Sequence, residues 1–280
     1  MIEFTNVCAS YDSKTSVLND VSFTISSGEF VAFVGSNGAG KSTTMRLING
    51  LLKPRKGQVL IDGVCTSQIR TSEMASHVGF LFQNPDRQIC CKTVRDELMF
   101  GFFATGRESE HAQSRVDAVI DEFGFDPDAD PFMLNRGARQ LLALASIIVM
   151  EPSVVILDEP TVGLDGLGIK KVMERIKRLN EAGTTIIMVC HDMEIVADYA
   201  RRVIVMSSGR VIDDGATFDI LRQPSTIETA DLIPSQIIAL SMQLASKSAE
   251  LSQTNIARAH TLEEMRDAVS EQLARQGGSK

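Results

Sequence analysis

One segment constrains this chain more than any other: Gly35-Ser36-Asn37-Gly38-Ala39-Gly40-Lys41-Ser42-Thr43. It fits the spacing GxxxxGK[ST] and lies between the apolar run FVAFV and the helical pattern TTMRLING, which Gly50 and Pro54 stop. FVAFV is apolar on both faces, as a buried parallel strand should be. Glycines at these positions let backbone N–H groups turn inward around phosphate oxygens. The helix N-terminus adds positive potential, and Lys41 reaches the β and γ phosphates. Ser42 supplies a hydroxyl for Mg2+. The segment predicts a strand–loop–helix unit built to hold a nucleotide's phosphates.

Two later strands aim further chemistry at the same edge. Val154-Val155-Ile156-Leu157-Asp158-Glu159 is an apolar strand that ends in two carboxylates. Such a strand should not close on an acidic pair without a cation or a proton-transfer role to offset desolvation. Asp158 is therefore expected to hold Mg2+ through water, and Glu159 to polarise the attacking water. His191 follows the strand TTIIMVC and so emerges at a strand end beside the glycine loop, where ligands of α/β sheets collect. His77, His111 and His260 have no such context and read as structural.

Around these segments the pattern is α/β. IEFTNVCASY and VLNDVSFTI read as strands, separated from each other and from FVAFV by turn signals at Asp12-Ser13 and Ser26-Ser27-Gly28. Short strands follow at GQVLID and HVGFLFQ. From Thr93 to about Glu122 the periodicity is helical with charged faces, and Asp126 to Asp130 form an acidic, proline-containing loop. Helices at Ala138–Val149 and KKVMERIKRLNEAG each precede a strand, which argues for a parallel sheet with covering helices. VIVMSSGRVIDDG reads as a hairpin-like pair. Residues 217–280 are mostly helical in pattern, with a capping box at Thr261-Leu262-Glu263-Glu264 and a disordered end expected at QGGSK. No internal repeat is evident.

Composition narrows the partners. The chain has 280 residues with Lys+Arg 28 against Asp+Glu 36, a net charge of −8 that disfavours nucleic acid as the main partner. The longest apolar stretch, Leu141 to Met150, falls far short of the ~20 residues that cross a bilayer, and MIEFTNVCAS carries no secretion signal. The expected setting is the cell interior. Cys8, Cys65, Cys90, Cys91 and Cys190 show no CxxC spacing and are isolated from the histidines, so they read as free thiols without a zinc site.

The ordered set now on the page is the phosphate loop, Gln83, a helical insert, Leu134–Gln140, Asp158-Glu159, Gly163-Leu164-Asp165 and His191. This order resembles the ATP-binding-cassette ATPases over about residues 2–216. The resemblance implies an α/β phosphate-loop NTPase. Its mostly parallel core sheet would carry an N-terminal antiparallel part, a helical subdomain at about 84–150 and a small, mostly helical C-terminal extension over 217–280. It implies ATP and Mg2+ as ligands, with Tyr11 stacking on adenine and the backbone from Gly35 to Thr43 on the phosphates. Gln83 would touch Mg2+ and sense a membrane partner, beside the Ser42 and Asp158 ligands. Gly163-Leu164-Asp165 would cross a dimer interface. Two cassettes would sandwich two ATP molecules, each between one phosphate loop and the other subunit's signature helix, closing on binding and reopening on hydrolysis.

One motif departs from the family. Where its signature reads LSGGQ, this chain has Leu134-Asn135-Arg136-Gly137-Ala138. Asn135 can still donate to a γ-phosphate and is a good N-cap. Arg136 either crowds the trans site or adds charge stabilisation there. Gln83-Asn84-Pro85-Asp86-Arg87-Gln88, with the later run DLIPSQIIALSMQL, is similar to the ATPase subunits of energy-coupling-factor vitamin and metal-ion importers. Those complexes pair two ATPases with a transmembrane coupling protein and a membrane substrate-binding protein. The likeness places the chain on the cytoplasmic membrane face, with Gln83, Pro85 and Asp86 in the groove that receives coupling helices. The altered signature favours a heterodimer over a homodimer. A nucleotide-dependent scaffold with weak turnover is the alternative, and repair or translation cassettes are disfavoured by the single cassette and the absence of a heptad run.

Overall fold

The computed structural model describes residues 1–12, 15–248 and 250–277, with side chains through 274. The first half runs β1 (Ile2–Ala9), β2 (Leu18–Ile25), β3 (Phe30–Val34), α1 (Lys41–Ile48), β4 (Lys56–Ile61), β5 (Val64–Cys65), α2 (Thr71–Met74), β6 (Val78–Leu81), α3 (Val94–Thr105) and α4 (Glu110–Phe123). The second runs α5 (Arg136–Ile148), β7 (Val154–Asp158), α6 (Gly166–Glu181), β8 (Thr185–Val189), α7 (Met193–Tyr199), β9 (Arg202–Ser207), β10 (Arg210–Ala216), α8 (Thr217–Ile220), α9 (Pro224–Ala230), α10 (Gln236–Lys247) and α11 (Leu262–Gly277). Ser13 of the expected first turn lies outside the described residues. So do residues 278–280 of the expected disordered end, while α11 continues through Gln276 and Gly277.

A six-stranded sheet of order β10-β9-β3-β8-β7-β6 forms the centre. It is parallel from β9 through β6, and β10 returns antiparallel to β9 with Arg210 opposite Ser207. The period-2 alternation of side chains sends each central strand into two different cores. Phe30, Ala32 and Val34 of β3 face the helical side with α5 and α6, while Val31 and Phe33 face the other side with α1 and the N-terminal strands. Ile186 and Met188 against Ile187 and Val189 repeat that division on β8. The doubly apolar FVAFV run is thus a central strand, as expected.

A four-stranded antiparallel sheet, β2-β1-β4-β5, covers the second face. Phe23 joins the sheets: it stacks on Phe4 at 4.4 Å between ring centroids and meets Phe33 edge-on at 5.4 Å. The helices α3, α4 and α5 build a separate core from Leu98, Val116, Leu142 and their neighbours. Each of these helices starts on a side-chain cap. Thr93, Ser109 and Asn135 accept from the backbone N–H of Asp96, Ala112 and Ala138, the bond that a Ser, Thr or Asn N-cap supplies.

Beyond β10 the chain remains attached to the central core. Ile220, Leu221, Ala230 and Ile238 join its helical side, and the Gln236 N–H donates to Glu194 at the start of α7, 2.6 Å away. Farther on, Ile256, Met265 and Ala268 form a small cluster of their own. The capping box is reciprocal: Glu264 N–H donates to Thr261 Oγ1 at 3.2 Å and Thr261 N–H to Glu264 Oε2 at 3.4 Å. Among the described residues no helix is long and apolar enough to cross a membrane.

Leu144 is fully buried where α5 packs on the central sheet. Leu144→Ala is expected to lower unfolding free energy by about 2–5 kcal/mol, seen as a lower urea midpoint at unchanged slope. An unchanged midpoint would remove Leu144 from the cooperative core.

Candidate nucleotide site

Four parallel strands end on the same edge, and each delivers one part of a cleft of about 200 Å³. The glycine loop follows β3, Gln83 follows β6, Asp158 ends β7 with Glu159 next, and His191 follows β8. Asn37, Gly38, Ala39, Gly40, Lys41, Ser42, Thr43, Gln83, Asp158, Glu159 and His191 line the cleft together. Gly35 and Ser36 sit behind the lining as the carbonyls that accept from Lys41 Nζ, at 2.6 and 2.9 Å.

The loop can be made only by glycine at two places. Gly35 has φ 137°, and a Cβ there would stand 2.0 Å from the Met206 carbonyl oxygen of β9. Gly40, at φ 106°, would bring a Cβ within 2.5 Å of Leu18. The resulting turn ends at the start of α1, so the first N–H groups of that helix, on Lys41, Ser42 and Thr43, have no intrahelical acceptor and open toward the cleft. This cradle fits a chain of phosphates. The oxygen donors of Ser42, Gln83 and Asp158 on one cleft fit a hard divalent cation such as Mg2+.

Glu159 is constrained in both backbone and side chain. It adopts φ 50°, a left-handed conformation uncommon for a side chain of this kind and of the sort found where function over-determines the backbone. Its N–H donates to the Val189 carbonyl at 2.9 Å, which carries the β7–β8 ladder one residue further. Its carboxylate is held from two sides, by Gln83 Nε2 at 2.9 Å on Oε2 and by His191 Nε2 at 3.2 Å on Oε1. Burial, followed by the neighbouring Glu159 charge, raises the Asp158 pKa above the usual carboxylate value. Burial likewise lowers the Lys41 pKa, against the pull of Glu159 and Asp158. Both shifts mark charges assembled ahead of a ligand that would compensate them.

Two groups are placed apart from the cleft. Tyr11 does not line it; its hydroxyl lies 3.2 Å from Thr43 Oγ1 and accepts from Arg46 Nη1 at 3.0 Å, with the guanidinium 5.5 Å from the ring centroid. Asn135, Arg136 and Gly137 also lie outside the lining, at the start of α5. Arg136 folds back within its own chain. Its Nη2 donates to the Val162 carbonyl at 3.1 Å, against the face of Gly163. Two contributors were not singled out from the sequence. Val17, apolar and before β2, lines the cleft only because the fold brings it there. Arg46 of α1 partly offsets the upward shift of the Asp158 pKa, and its spacing from Lys41 carried no signal of that role.

A glycine loop and helix N-terminus facing strand-end carboxylates define a nucleotide-binding protein of the phosphate-loop class. The chain belongs to the ABC transporter family, which residues 18–162 match. It is 42% identical over 237 residues to TTE1589 of Caldanaerobacter subterraneus subsp. tengcongensis, provisionally named an ABC transporter ATP-binding protein; the match covers 84% of this chain and 42% of that one. The chain thus spans less than half the length of that relative. It is 38% identical over 243 residues to the energy-coupling factor transporter ATP-binding protein EcfA2 of Clostridium perfringens, covering 84% of this chain and 85% of that protein. Among solved structures, cbiO1 of Clostridium perfringens, part of the ABC transporter complex cbiONQ, superposes with a TM-score of 0.72 at 33% identity, covering 81% of this chain and 92% of that one. The chain is therefore an ATP-binding-cassette protein with the α/β cassette fold, similar to the energy-coupling-factor ATPases.

Because the folded pKa of Asp158 lies above its unfolded value, ionising this carboxyl opposes folding. The penalty is absent below the ordinary carboxylate value of about 3.9 and complete above the raised folded value. Asp158→Asn is expected to raise the melting temperature of the ligand-free protein at neutral pH, by an amount that shrinks as pH falls toward 4 (roughly the ordinary value). A gain that persisted unchanged in acid would remove the linkage.

Proposed function

We propose that this chain is an ATP-hydrolysing subunit that energises a membrane importer of the energy-coupling-factor type, for a vitamin or a metal ion. The observation that carries the reading is the meeting of Lys41, Ser42, Gln83, Asp158, Glu159 and His191 on one cleft at the strand ends. In that cleft the loop N–H groups and Lys41 bind the phosphates, and Ser42, Asp158 and Gln83 hold Mg2+. The cation's contribution when bound is to neutralise phosphate charge. Glu159, fixed between Gln83 and His191, orients the attacking water and takes its proton, and His191 faces the γ-phosphate position. Tyr11, beside Thr43, is assigned to adenine.

Coupling to a membrane partner has a physical route. An apolar groove of about 300 Å³ lies beside the cleft, lined by Leu51, Phe80, Phe82, Phe100, Ala104 and Met150 among others. Leu51, Phe82 and Phe100 are exposed. Gln83, Pro85 and Asp86 do not line it; Phe82, next to Gln83, does. The loop that follows is strapped to α5 by Arg139–Asp86 at 3.0 Å and by Gln88 Nε2 to the Ala143 carbonyl at 2.7 Å. A transmembrane coupling protein seated in this groove would thus act on both Gln83 and the Asn135–Gly137 end of α5. The membrane substrate-binding protein would carry specificity. We assign 1–216 to the nucleotide-binding domain, with the helical subdomain at about 84–150, and 217–280 to an extension. The setting is the cytoplasmic membrane face, and the assembly an ATPase dimer, preferably with a second, different cassette.

Glu159→Gln is expected to lower ATP hydrolysis by ~10²–10⁴, the range of one acid–base group, while ATP binding survives. Equal turnover in the variant would overturn the role given to Glu159. The second reading, a scaffold that closes on ATP and turns over weakly, rests on Asn135 and Arg136. If they impair the trans site, Asn135→Ser with Arg136→Gly should raise turnover in a homodimer. A stable dimer with no gain would count against impairment.

A further inference from the structure

Outside the nucleotide cleft, the loop entering α3 gathers a second set of chemistry-bearing side chains. Cys90 and Cys91 are adjacent in sequence, and their sulfurs lie 4.0 Å apart. Glu97, in the first turns of α3, turns back under the loop. Its Oε2 accepts from the N–H of Cys90 at 2.9 Å and of Cys91 at 2.8 Å. Both sulfurs and a Glu97 carboxylate oxygen fall within 4.8 Å of one another.

Three features separate this cluster from thiols that merely share a loop. The first is Glu97 itself, which keeps only 3% of its surface exposed. This buried carboxylate is compensated by the two loop N–H groups and by the N-terminal turn of α3, while among the described residues no cationic side chain pairs with it. Its neighbours are instead two thiols, which add negative charge once deprotonated. The second is the sulfur separation. Two thiolates sharing a tetrahedral Zn2+ at a Zn–S length of ~2.3 Å stand about 3.8 Å apart, close to the distance seen, whereas a disulfide needs ~2.05 Å. The third is access. Cys90 is exposed, Cys91 half-buried and Glu97 buried, so the three grade from solvent inward, as a pocket with one open position would.

We propose that Cys90, Cys91 and Glu97 form a binding site for a thiophilic divalent cation of the Zn2+ or Cd2+ class, with two sulfur ligands, one oxygen ligand and a solvent-facing position. The donor set excludes the Mg2+ of the nucleotide cleft, which takes oxygen ligands. An ion here would clamp the loop to the first turns of α3 immediately beyond Gln88, the residue that straps the preceding loop to α5.

The test uses the reduced full chain in chelator-free buffer, titrated with Cd2+ and followed by thiolate-to-cadmium charge-transfer absorption. One Cd2+ per chain is expected, with the signal lost in the Cys90→Ser, Cys91→Ser double variant. Glu97→Gln, which keeps an acceptor for the two N–H groups, should weaken binding by at least about tenfold, the lower end of what loss of even an outer-shell partner brings. ATP binding measured on the same samples confirms that each variant is folded, and it does not depend on the cluster. Should Glu97→Gln fail to fold, the serine variant decides alone. No charge-transfer band in the unaltered chain, or an equal band in the folded serine variant arising from Cys8, Cys65 or Cys190, would overturn the site.

Discussion

The close approach of Gly35 to the Met206 carbonyl is the contact on which the rest of the site depends. A Cβ would stand 2.0 Å from that oxygen, so the chain can leave β3 and curl over the end of β9 only with hydrogen at this position. The curl sets where α1 begins, and α1 sets where Lys41, Ser42 and Thr43 point their N–H groups. Because β3 lies between β8 and β9, the same contact fixes the phosphate cradle beside the strand that delivers His191, with β7 and its Glu159 next in the sheet. A substitution at Gly35 would displace the cradle from its acids even if the sheet survived.

The centre of the sheet trades stability for readiness. Lys41 is buried with its amine turned onto the Gly35 and Ser36 carbonyls, and Asp158 is half-buried beside Glu159. Burial disfavours the charged form of each, moving the two pKa values in opposite directions. Phosphate oxygens, with a cation, would supply such a site with what folding alone does not. The two apolar cores on either face of the sheet make this tolerable.

What the sequence made legible was local. FVAFV, the glycine loop and the helix after it are contiguous, so each residue's neighbours are known before folding. VVILD and TTIIMVC declare themselves by continuous apolarity, and their last residues necessarily share an edge once the strands are parallel. The capping box at Thr261 was readable for the same reason. The features missed are those that only tertiary packing creates. Val17 reaches the cleft across the sheet order, and Arg136 turns back to Val162, 26 residues away. Glu97 closes under two cysteines that, by spacing alone, resemble any pair of free thiols. Tyr11 entered only through the resemblance, as a residue for adenine, and its contacts with Thr43 and Arg46 are tertiary ones that no periodicity describes.

The site is also uneven in stiffness. Glu159 extends the ladder between β7 and β8 by one bond, so Asp158, Glu159 and His191 ride on central strands supported from both sides. Gln83 follows β6, which ends the sheet and is bonded along one side only. A force applied at the groove near Phe82 would therefore bend the compliant margin and leave the acids in place. The single hydrogen bond from Gln83 to Glu159 spans the boundary between the two, so a displacement of that margin would be registered at the Glu159 carboxylate as the presence or absence of one contact.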